Sequence, residues 1–456
     1  MSEQALHVVI IGAGLGGACL AHGLKKAGIS VAVYEREAAR HDGLFGFRVV
    51  IAPDGSRALR DALPPDLYET FVATCAESPR HLTVYSEGLE ELFTTGLPEA
   101  DRQDARAVPG MRYASLMTLR QLLLTGIEDT VRFGKEFLRY ERRPDGRITV
   151  FFADGTSTVG DVLVGADGSH SRVRHQRRPR DGVQDCGFVA AYGQVDLIEA
   201  ARLLPWEMLR GISVVHSLQG PSLVTQPMEF RWDCEGELKT HVGGVDAALI
   251  KTWPGLRYDN TRDHLMWGLM SSSRLFPAEP EGLGGSRLID VVADMTRRWS
   301  PALHTLVKLT DPATAVATRA VVSRPVDSQE TTKVTLLGDA GHVRVPDPGT
   351  GANATLRAAG LLCRLLSRAV ADRRPVVAAI RDYEAQALGS GFDFLAYWKC
   401  LNRQARLNKP FIGPVLAAGS RTRLRVANQT PKLKRRVAGE FNWLQGGGPA
   451  GSPRVW

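Results

Sequence analysis

The chain has 456 residues, of which 44% are hydrophobic and 23% charged, with 46 glycines and 25 prolines. These values are ordinary for globular proteins and exclude disordered, collagen-like and fibrous classes. The length predicts two or three domains, or one elaborated α/β domain. No run of about 18 apolar residues occurs, which argues against a membrane span. The first residues lack the cationic start of a signal peptide, so we expect a cytoplasmic protein.

The formal charge of +8 is concentrated at one end of the chain. Residues 391–456 contain 12 Lys or Arg and 2 Asp or Glu, a net of +10, whereas the other 390 residues carry 45 against 47. A basic tail on a nearly neutral body differs from a basic DNA-binding face, so no nucleic-acid partner is expected. The tail is interpreted either as a solvated helical surface or as a contact for an acidic or anionic partner. Its basic cluster comprises Arg421, Arg423, Arg425, Lys432, Lys434, Arg435 and Arg436.

Six cysteines lie far apart in the sequence and form no CxxC pair. This spacing indicates neither a zinc site nor a disulfide framework, and it predicts reduced, mostly buried thiols. No metal site is expected.

The N-terminal region reads as strand, glycine turn, helix and strand. Residues 6–11 form an apolar run typical of a central parallel strand buried on both faces. A helix is predicted over residues 18–26, ended by Gly28, and a second strand over residues 31–34.

Later segments extend this pattern. Residues 148–152 and 157–164 alternate like the strands of a hairpin. Residues 334–337 predict another buried strand, and residues 352–366 a long helix with an apolar face. Between about 181 and 315 the composition changes to broken apolar segments with many turn residues, which predicts a second, largely β domain.

A glycine-rich turn links the first strand to the first helix. Its GxGxxG pattern is typical of a dinucleotide site, because the glycines allow a tight turn, close approach of a pyrophosphate and close helix–strand packing. An acidic residue at the tip of the second strand is expected to accept ribose hydroxyls. The residues concerned are Gly12, Gly14, Leu15, Gly16, Gly17 and Glu35. NAD and FAD both satisfy this motif.

Two later segments resemble motifs of one family. Residues 161–174, DVLVGADGSHSRVR, are similar to the DG motif of the para-hydroxybenzoate hydroxylase family of single-component flavin monooxygenases. Residues 338–342, GDAGH, with the loop that follows, are similar to its GD motif and flavin-facing loop. The three motifs occur in the family's order over about residues 5–365. The resemblance therefore implies FAD rather than NAD at the glycine turn.

The resemblance also implies roles for individual residues. It assigns Asp339 to the ribityl chain and Arg120 to the ribityl or phosphate region, and it places Arg48 and Pro346 near the reacting centre as candidate catalytic residues. Asp167 and Gly168 would serve the flavin and the pyridine nucleotide; capping the next turn and supplying a positive φ are the structural alternatives. Arg36 either faces the adenosine or is solvated. The remaining implied cofactor contacts are Gly338, Gly349, Thr350, Gly351, Ala352 and Asn353.

The expected fold class is α/β, with a Rossmann-like FAD-binding domain of the GR2 type, an inserted mainly β substrate domain and a basic helical C-terminal extension. The FAD-binding domain is expected to be discontinuous, over residues 1–72, 108–180 and 316–390. The substrate domain would take residues 73–107 and 181–315, and the extension residues 391–456.

The resemblance implies an FAD-dependent monooxygenase that uses NADPH or NADH as a transient reductant. It would hydroxylate or epoxidise an aromatic or polycyclic apolar molecule with dioxygen through a flavin C4a-hydroperoxide, as in natural-product tailoring. Tryptophans and phenylalanines of the second domain suit such a substrate, although aromatics in a β domain more often form core. An FAD oxidase, dehydrogenase or reductase without oxygen insertion is the alternative, and a non-catalytic flavin-bound carrier is a third. The oligomeric state stays open.

Overall fold

The structure is a computed structural model of the chain. It describes residues 6–40, 42, 48–97, 111–218, 220–231, 262–277, 279–324, 330–343, 350–388 and 412–440. Within those ranges no helix combines the length and the apolar composition needed to cross a membrane.

The described part of the chain contains helices and strands in alternation. The strands are β1 (His7–Ile11), β2 (Ser30–Tyr34), β3 (Arg48–Ile51), β4 (His81–Ser86), β5 (Glu91–Gly96), β6 (Arg112–Ser115), β7 (Val131–Arg132), β8 (Phe137–Arg142), β9 (Ile148–Phe152), β10 (Ser157–Gly160), β11 (Val162–Gly165), β12 (Val183–Asp196), β13 (Ile212–His216), β14 (Ser222–Met228), β15 (His264–Ser272), β16 (Val316–Ser323) and β17 (Val334–Leu336). The α-helices are α1 (Leu15–Lys26), α2 (Pro53–Ala62), α3 (Pro65–Ala73), α4 (Leu116–Leu123), α5 (Arg172–Arg177), α6 (Leu197–Ala201), α7 (Gly285–Thr296), α8 (Pro301–Lys308), α9 (Thr350–Ala371), α10 (Val376–Tyr383), α11 (Ile412–Gln429) and α12 (Pro431–Glu440).

The first sheet is parallel and five-stranded, in the order β17-β11-β1-β2-β7. Val8 and Ile10 of β1 face α1 and α9, where Leu20 and Leu356 pack in the same core cluster. Val9 faces the opposite layer, the antiparallel sheet β10-β9-β8. Because both faces of β1 are covered, its continuous apolar run is buried. The expected parallel strand–helix–strand unit is confirmed.

The predicted hairpin is correct only in its first half. The strands β9 and β10 pair antiparallel, but the chain leaves the hairpin at Asp161. The Asp161 backbone N–H donates to the His7 carbonyl at 2.8 Å, and its carboxylate accepts the His7 backbone N–H at 2.8 Å. Val162–Gly165 then joins the parallel sheet as β11. The expectation of one strand over residues 157–164 was wrong, because both segments are apolar and only the long-range pairing separates them.

The other large sheet, called the second sheet below, has seven strands in the order β16-β12-β15-β14-β13-β4-β5. One face packs against α7 and α8, with Leu288 and Leu303 of these helices in one core cluster with Trp267 of β15. The composition of this region predicted its strands but not those two helices. Strand β16 pairs with β12 in this sheet, although the expected boundary at residue 315 assigns it to the FAD-binding domain.

Two C-terminal helices, α11 and α12, lie on the β4, β5 and β13 end of the second sheet. Leu424 and Val437 pack against Leu82 and Phe93. Two basic residues of α11 reach acidic residues of the β4–β5 hairpin: Arg421 pairs with Glu87, and Arg425 binds Glu90 through two nitrogens at 3.0 and 2.6 Å. Two residues of the basic cluster therefore contact an acidic surface, and the same chain supplies that surface.

The described cysteines correct one expectation. Cys19, Cys75 and Cys363 are free, and burial raises the pKa of Cys19 and Cys75 to about 12, which suppresses their reactivity. Cys186 instead is disulfide-bonded, to a partner outside the described residues. The prediction of reduced thiols was therefore wrong for Cys186, since cysteines distant in sequence meet through the fold.

Acid is expected to weaken the contact between α1 and α4 through His22. This side chain is 4% exposed, its Nε2 lies 3.0 Å from the Leu123 carbonyl oxygen, and desolvation lowers its pKa from 6.5 to about 4. Below pH 6.5 His22 is protonated in the unfolded chain but stays neutral in the folded chain. The free energy of unfolding therefore falls as the pH drops from 6.5 towards 4, by about 3 kcal/mol in total. Urea unfolding at several pH values should show a flatter curve for His22→Gln, and parallel curves for the two proteins would contradict this role.

Candidate active site

The glycine turn lies at the carboxyl end of β1. Gly12 has a φ of +101° and donates its N–H to the Tyr34 carbonyl of β2 at 2.8 Å. A side chain at Gly17 would overlap the carbonyl oxygen of Gly12, whereas one at Gly14 would meet nothing within 4 Å. The packing of the turn itself therefore requires glycine at positions 12 and 17, whereas open space lies beside Gly14.

An acidic side chain closes this turn from the tip of β2. Glu35 is 7% exposed, and its Oε2 accepts the backbone N–H of Ala13 at 2.7 Å. Arg120 of α4 lies 3.6 Å from the same oxygen and donates to the Ala13 carbonyl at 3.3 Å and to the Asp42 carbonyl at 3.0 Å. The structure thus brings Arg120 to the glycine turn from more than 100 residues away. Arg36, by contrast, is exposed and pairs with Glu37 at 3.5 Å.

Asp167 caps the segment that follows it. Its carboxylate accepts the Ser171 hydroxyl at 2.5 Å and the Val173 backbone N–H at 3.2 Å. Gly168 has a φ of +78°. Both structural alternatives raised for these two residues are therefore observed. A carboxylate has about four lone-pair sites, so these two hydrogen bonds leave acceptor sites on Asp167 for the predicted ligand contacts.

The chain turns at Gly338, two residues after the end of β17. Gly338 has a φ of +64°, and the next residue, Asp339, is exposed at the carboxyl end of the sheet. Its backbone is held by Arg174 of α5, whose Nη1 donates to the carbonyls of Asp339 and Ala340 at 3.0 and 3.2 Å. Arg174 also donates to the Ser169 carbonyl at 2.5 Å. One buried guanidinium thereby joins the segments that contain Asp167 and Asp339.

Thr355 of α9 brings the glycine turn and the β17 turn together. A methyl group on Gly16 would lie 2.6 Å from Thr355 Cγ2, and one on Gly338 would lie 2.8 Å from Thr355 Oγ1. Leu15, the first residue of α1, is half-buried against the same core. The first turn of α1, the β17 turn and the first turns of α9 therefore meet at one edge of the parallel sheet.

The start of α9 supplies the remaining predicted residues. Thr350, Gly351 and Ala352 form its first turn, and a side chain at Gly351 would meet nothing within 4 Å. Asn353 is 4% exposed and directs its side chain into the protein. Its Oδ1 accepts the Ala52 backbone N–H at 2.9 Å, and its Nδ2 donates to the Val50 carbonyl at 2.8 Å.

The side chain of Asn353 thus links β3 to α9 through hydrogen bonds, whereas the sequence predicted only a cofactor contact for this residue. The predicted residues Pro346 and Gly349 lie outside the described residues.

Arg48 lies where β3 meets the second sheet. Its backbone N–H donates to Met266 Sδ at 3.3 Å, its guanidinium donates to Gln226 Oε1, and its Cζ lies 5.7 Å from the Tyr113 ring centroid. Desolvation lowers the pKa of Arg48 to about 10, so the side chain stays cationic at neutral pH. The structure therefore places this candidate catalytic residue where the two-stranded sheet of β3 and β6 contacts the seven-stranded sheet.

Trp267 and His264 of the second domain are core residues. Trp267 is fully buried and donates from Nε1 to Thr310 Oγ1 at 2.8 Å. His264 is 6% exposed, and burial lowers its pKa, so its ring is neutral at pH 7. Trp206 is 62% exposed. Trp232, Trp253 and His241 lie outside the described residues, and the described part contains no cluster of side chains able to hold a metal ion.

Three residues that build this site were missed from the sequence. Arg174 stands in the DG-like segment and signals nothing by itself, Thr355 is one small residue of a long helix, and Gln226 lies in a strand of ordinary composition. Each acts across a long separation in sequence. No local spacing rule identifies such contacts.

The chain is similar in sequence to known proteins. Residues 10–39 match the family model of the NAD(P)-binding Rossmann-like domain. The chain is 30% identical over 409 residues to the dual O-methyltransferase/FAD-dependent monooxygenase elcB of Phaeosphaeria nodorum, a match that covers 81% of this chain and 41% of that protein. It is 29% identical over 393 residues to the FAD-dependent urate hydroxylase of Klebsiella pneumoniae subsp. pneumoniae, covering 84% and 85%.

A solved structure agrees with these relatives. The crystal structure of a putative FAD-containing monooxygenase from Photorhabdus luminescens subsp. laumondii superposes with a TM-score of 0.71 at 27% identity, covering 88% of this chain and 98% of that one. The chain spans less than half the length of the first curated relatives, which are dual-function proteins.

In sequence and in fold the chain is therefore similar to FAD-dependent monooxygenases. The expected α/β fold with a Rossmann-like region and C-terminal helices is confirmed. The edge of the parallel sheet fits a dinucleotide such as FAD. It combines the open space at Gly14, the open first turn of α9 and the exposed Asp339 with a buried carboxylate at the tip of β2.

Proposed function

We propose that this chain is an FAD-dependent monooxygenase that uses NAD(P)H and dioxygen to hydroxylate or epoxidise an aromatic or polycyclic small molecule. When bound, FAD supplies electron transfer from the nicotinamide and activation of dioxygen. The observation that carries the proposal is the meeting of the glycine turn, the β17 turn and the start of α9 at one sheet edge. NAD(P)H as reductant places this activity in the cytoplasm.

The cofactor is held from both ends in this proposal. The pyrophosphate lies over Gly14 at the N-terminus of α1, where backbone N–H groups and the helix dipole favour an anion. Glu35 accepts the adenosine ribose hydroxyls with the lone pairs that Ala13 leaves unused, and Arg120 positions Glu35. Arg36 lies on the solvent side of the adenosine.

At the other end, Asp339 accepts the ribityl hydroxyls, and the first turn of α9 faces the flavin ring. The positive end of that helix would favour negative charge on the ring's pyrimidine edge. Thr350, Gly351 and Ala352 contribute this turn, Asp167 and Gly168 hold the neighbouring segment, and Asn353 positions α9. We retain Pro346 and Gly349 as predicted contacts of the preceding loop.

The substrate lies between the flavin ring and the second sheet. Arg48, where the β3–β6 pair contacts the second sheet, is cationic and lies over the Tyr113 ring, so it can orient a polar edge of the substrate. We keep the division into an FAD-binding domain, a substrate domain and a basic extension, with the boundary moved behind β16 because that strand pairs within the second sheet.

Purified protein should carry FAD and oxidise NADPH or NADH in air faster when an accepted aromatic compound is present. The panel includes uric acid, phenols, naphthols and polycyclic aromatics, and Gly14→Ala protein serves as the flavin-free control. Mass spectrometry should find a product one oxygen atom heavier than the compound, with a yield matched to the nicotinamide consumed. Stimulated nicotinamide oxidation without an oxygenated product would instead identify an oxidase or dehydrogenase, and protein that cannot be loaded with FAD would refute the proposal.

A further inference from the structure

A buried side-chain amide stands beside Arg48 on the second sheet. Gln226 of β14 is 2% exposed, and its Oε1 accepts a hydrogen bond from Arg48 Nη1. Its Nε2 is buried and has no hydrogen-bond partner among the described residues. A buried donor without an acceptor carries a desolvation cost, so such groups in proteins usually have a partner that the protein itself does not supply.

The orientation of this amide is determined by chemistry. A guanidinium group donates hydrogen bonds and accepts none, so the amide oxygen must face Arg48 and the NH₂ group must face away from it. Arg48 is itself held by its backbone contact with Met266 and by the Tyr113 ring. Gln226 therefore presents two N–H donors in one fixed direction.

The amide lies on the face of the second sheet that is turned away from the covering helices. Gln226 is paired with Met266, whose sulfur accepts the Arg48 N–H, whereas the preceding residue, Thr225, is paired with Trp267 of the helix-covered core. Directly paired residues share a face of a sheet and successive residues alternate, so Gln226 and Thr225 lie on opposite faces.

The same face adjoins the proposed flavin site. Asn353 fastens Val50 and Ala52 to the beginning of α9. Arg48 begins the same strand, and strands rise about 3.3 Å per residue, so its backbone lies within roughly 10–15 Å of that helix start. This separation is about the length of a flat aromatic substrate of two or three fused rings.

We infer that Gln226 is a substrate-binding residue that recognises an acceptor oxygen, a carbonyl or a phenol oxygen, on the aromatic ring system. This inference rests on the proposed function and adds the polar group that the substrate must carry. Arg48 acts on the same group indirectly, by holding the amide in the donating orientation. An aromatic compound without such an oxygen leaves the amide donors unsatisfied in the complex, and its binding is correspondingly weaker.

Three probes of similar size test the inference. 2-Acetonaphthone carries a carbonyl oxygen, 2-naphthol a phenol oxygen, and 2-ethylnaphthalene neither. Dissociation constants are measured on the FAD-loaded protein from the change in flavin absorbance on titration, without turnover. The wild-type protein should bind at least one oxygen-bearing probe about tenfold more tightly than 2-ethylnaphthalene, since one hydrogen bond to an otherwise unsatisfied donor is worth about a factor of ten. Which of the two it prefers distinguishes a carbonyl from a phenol substrate.

Two variants locate the effect. Gln226→Met keeps the length of the side chain without its donors and should bind all three probes equally. Thr225→Val changes the adjacent buried residue on the opposite face and should keep the wild-type preference. The Thr225 hydroxyl likewise finds no hydrogen-bond partner in the part of the chain that the structure describes.

Equal binding of the three probes by the wild type, no binding of either oxygen-bearing probe, or an unchanged preference in Gln226→Met would overturn the inference. If the wild type still consumes NAD(P)H and yields an oxygenated product, only the role of Gln226 fails. If no compound is oxygenated, the proposed function itself fails.

Discussion

Asp339→Ala protein is expected to purify folded but without FAD. The carboxylate is exposed at the end of β17, so its removal empties no core position. Arg174 holds the turn around it through the backbone carbonyls of Asp339 and Ala340, and these hydrogen bonds remain available in the variant. Loss of two charge-assisted hydrogen bonds to ribityl hydroxyls would cost about 3 kcal/mol or more, which corresponds to roughly 100-fold weaker binding.

Flavin absorbance of the purified protein and calorimetric titration of the apoprotein with FAD measure this effect. Asp372→Ala removes the same charge from an exposed position at the far end of α9 and should retain full flavin. Asp339→Asn keeps the shape without the charge and should fall between the two. Full flavin in Asp339→Ala, with circular dichroism like the wild type, would show that this carboxylate does not bind the cofactor.

Gly17→Ala should destabilise the protein whether or not FAD is present. An added Cβ would overlap the main-chain oxygen of Gly12, and a backbone atom in a tight turn cannot move aside as a side chain does. Overpacking of this kind costs about 3 kcal/mol. Thermal unfolding of the apoprotein should therefore show a melting temperature lowered by roughly 3–6 °C.

Gly14→Ala provides the matched control within the same turn. A Cβ at Gly14 meets nothing within 4 Å of protein, so the apoprotein should melt close to the wild type. The same methyl group would occupy the space assigned to the pyrophosphate, so FAD binding should be lost. If the Gly14→Ala apoprotein melts as low as Gly17→Ala, or if it binds FAD normally, the proposed division of roles within the turn is incorrect.

Local patterns predicted the parts of this fold that depend on neighbours in sequence. The apolar run before Gly12, the helix after it and the short strand ending at Glu35 follow from period, glycine chemistry and spacing. The helix beginning near Ala352 was expected for the same reason. The break at Asp161 was not expected, because β10 and β11 are both apolar and differ only in which strands they pair with.

The residues of the candidate site also fall into two groups, those that local patterns predict and those that make long-range contacts. Gly12, Gly17 and Glu35 could be assigned from the sequence because their chemistry depends on a short turn and one strand tip. Arg174 beneath the Asp339 backbone, Thr355 between two turns, and Asn353 tied to β3 are contacts between segments separated by many residues. Side chains of these types occur throughout the chain, so only the packed structure distinguishes the ones that build the site.

The amino-acid order alone was enough to predict the fold class and a dinucleotide site, because both predictions depend on strongly constrained local geometry: buried parallel strands, glycine turns and an acid at fixed spacing. The division between the sheets, the docking of the basic C-terminal helices on Glu87 and Glu90, and the pairing of Arg48 with Gln226 required the tertiary structure. Each of these depends on long-range pairing and burial, which bring distant residues together and so set the electrostatics and the polar contacts that a substrate meets.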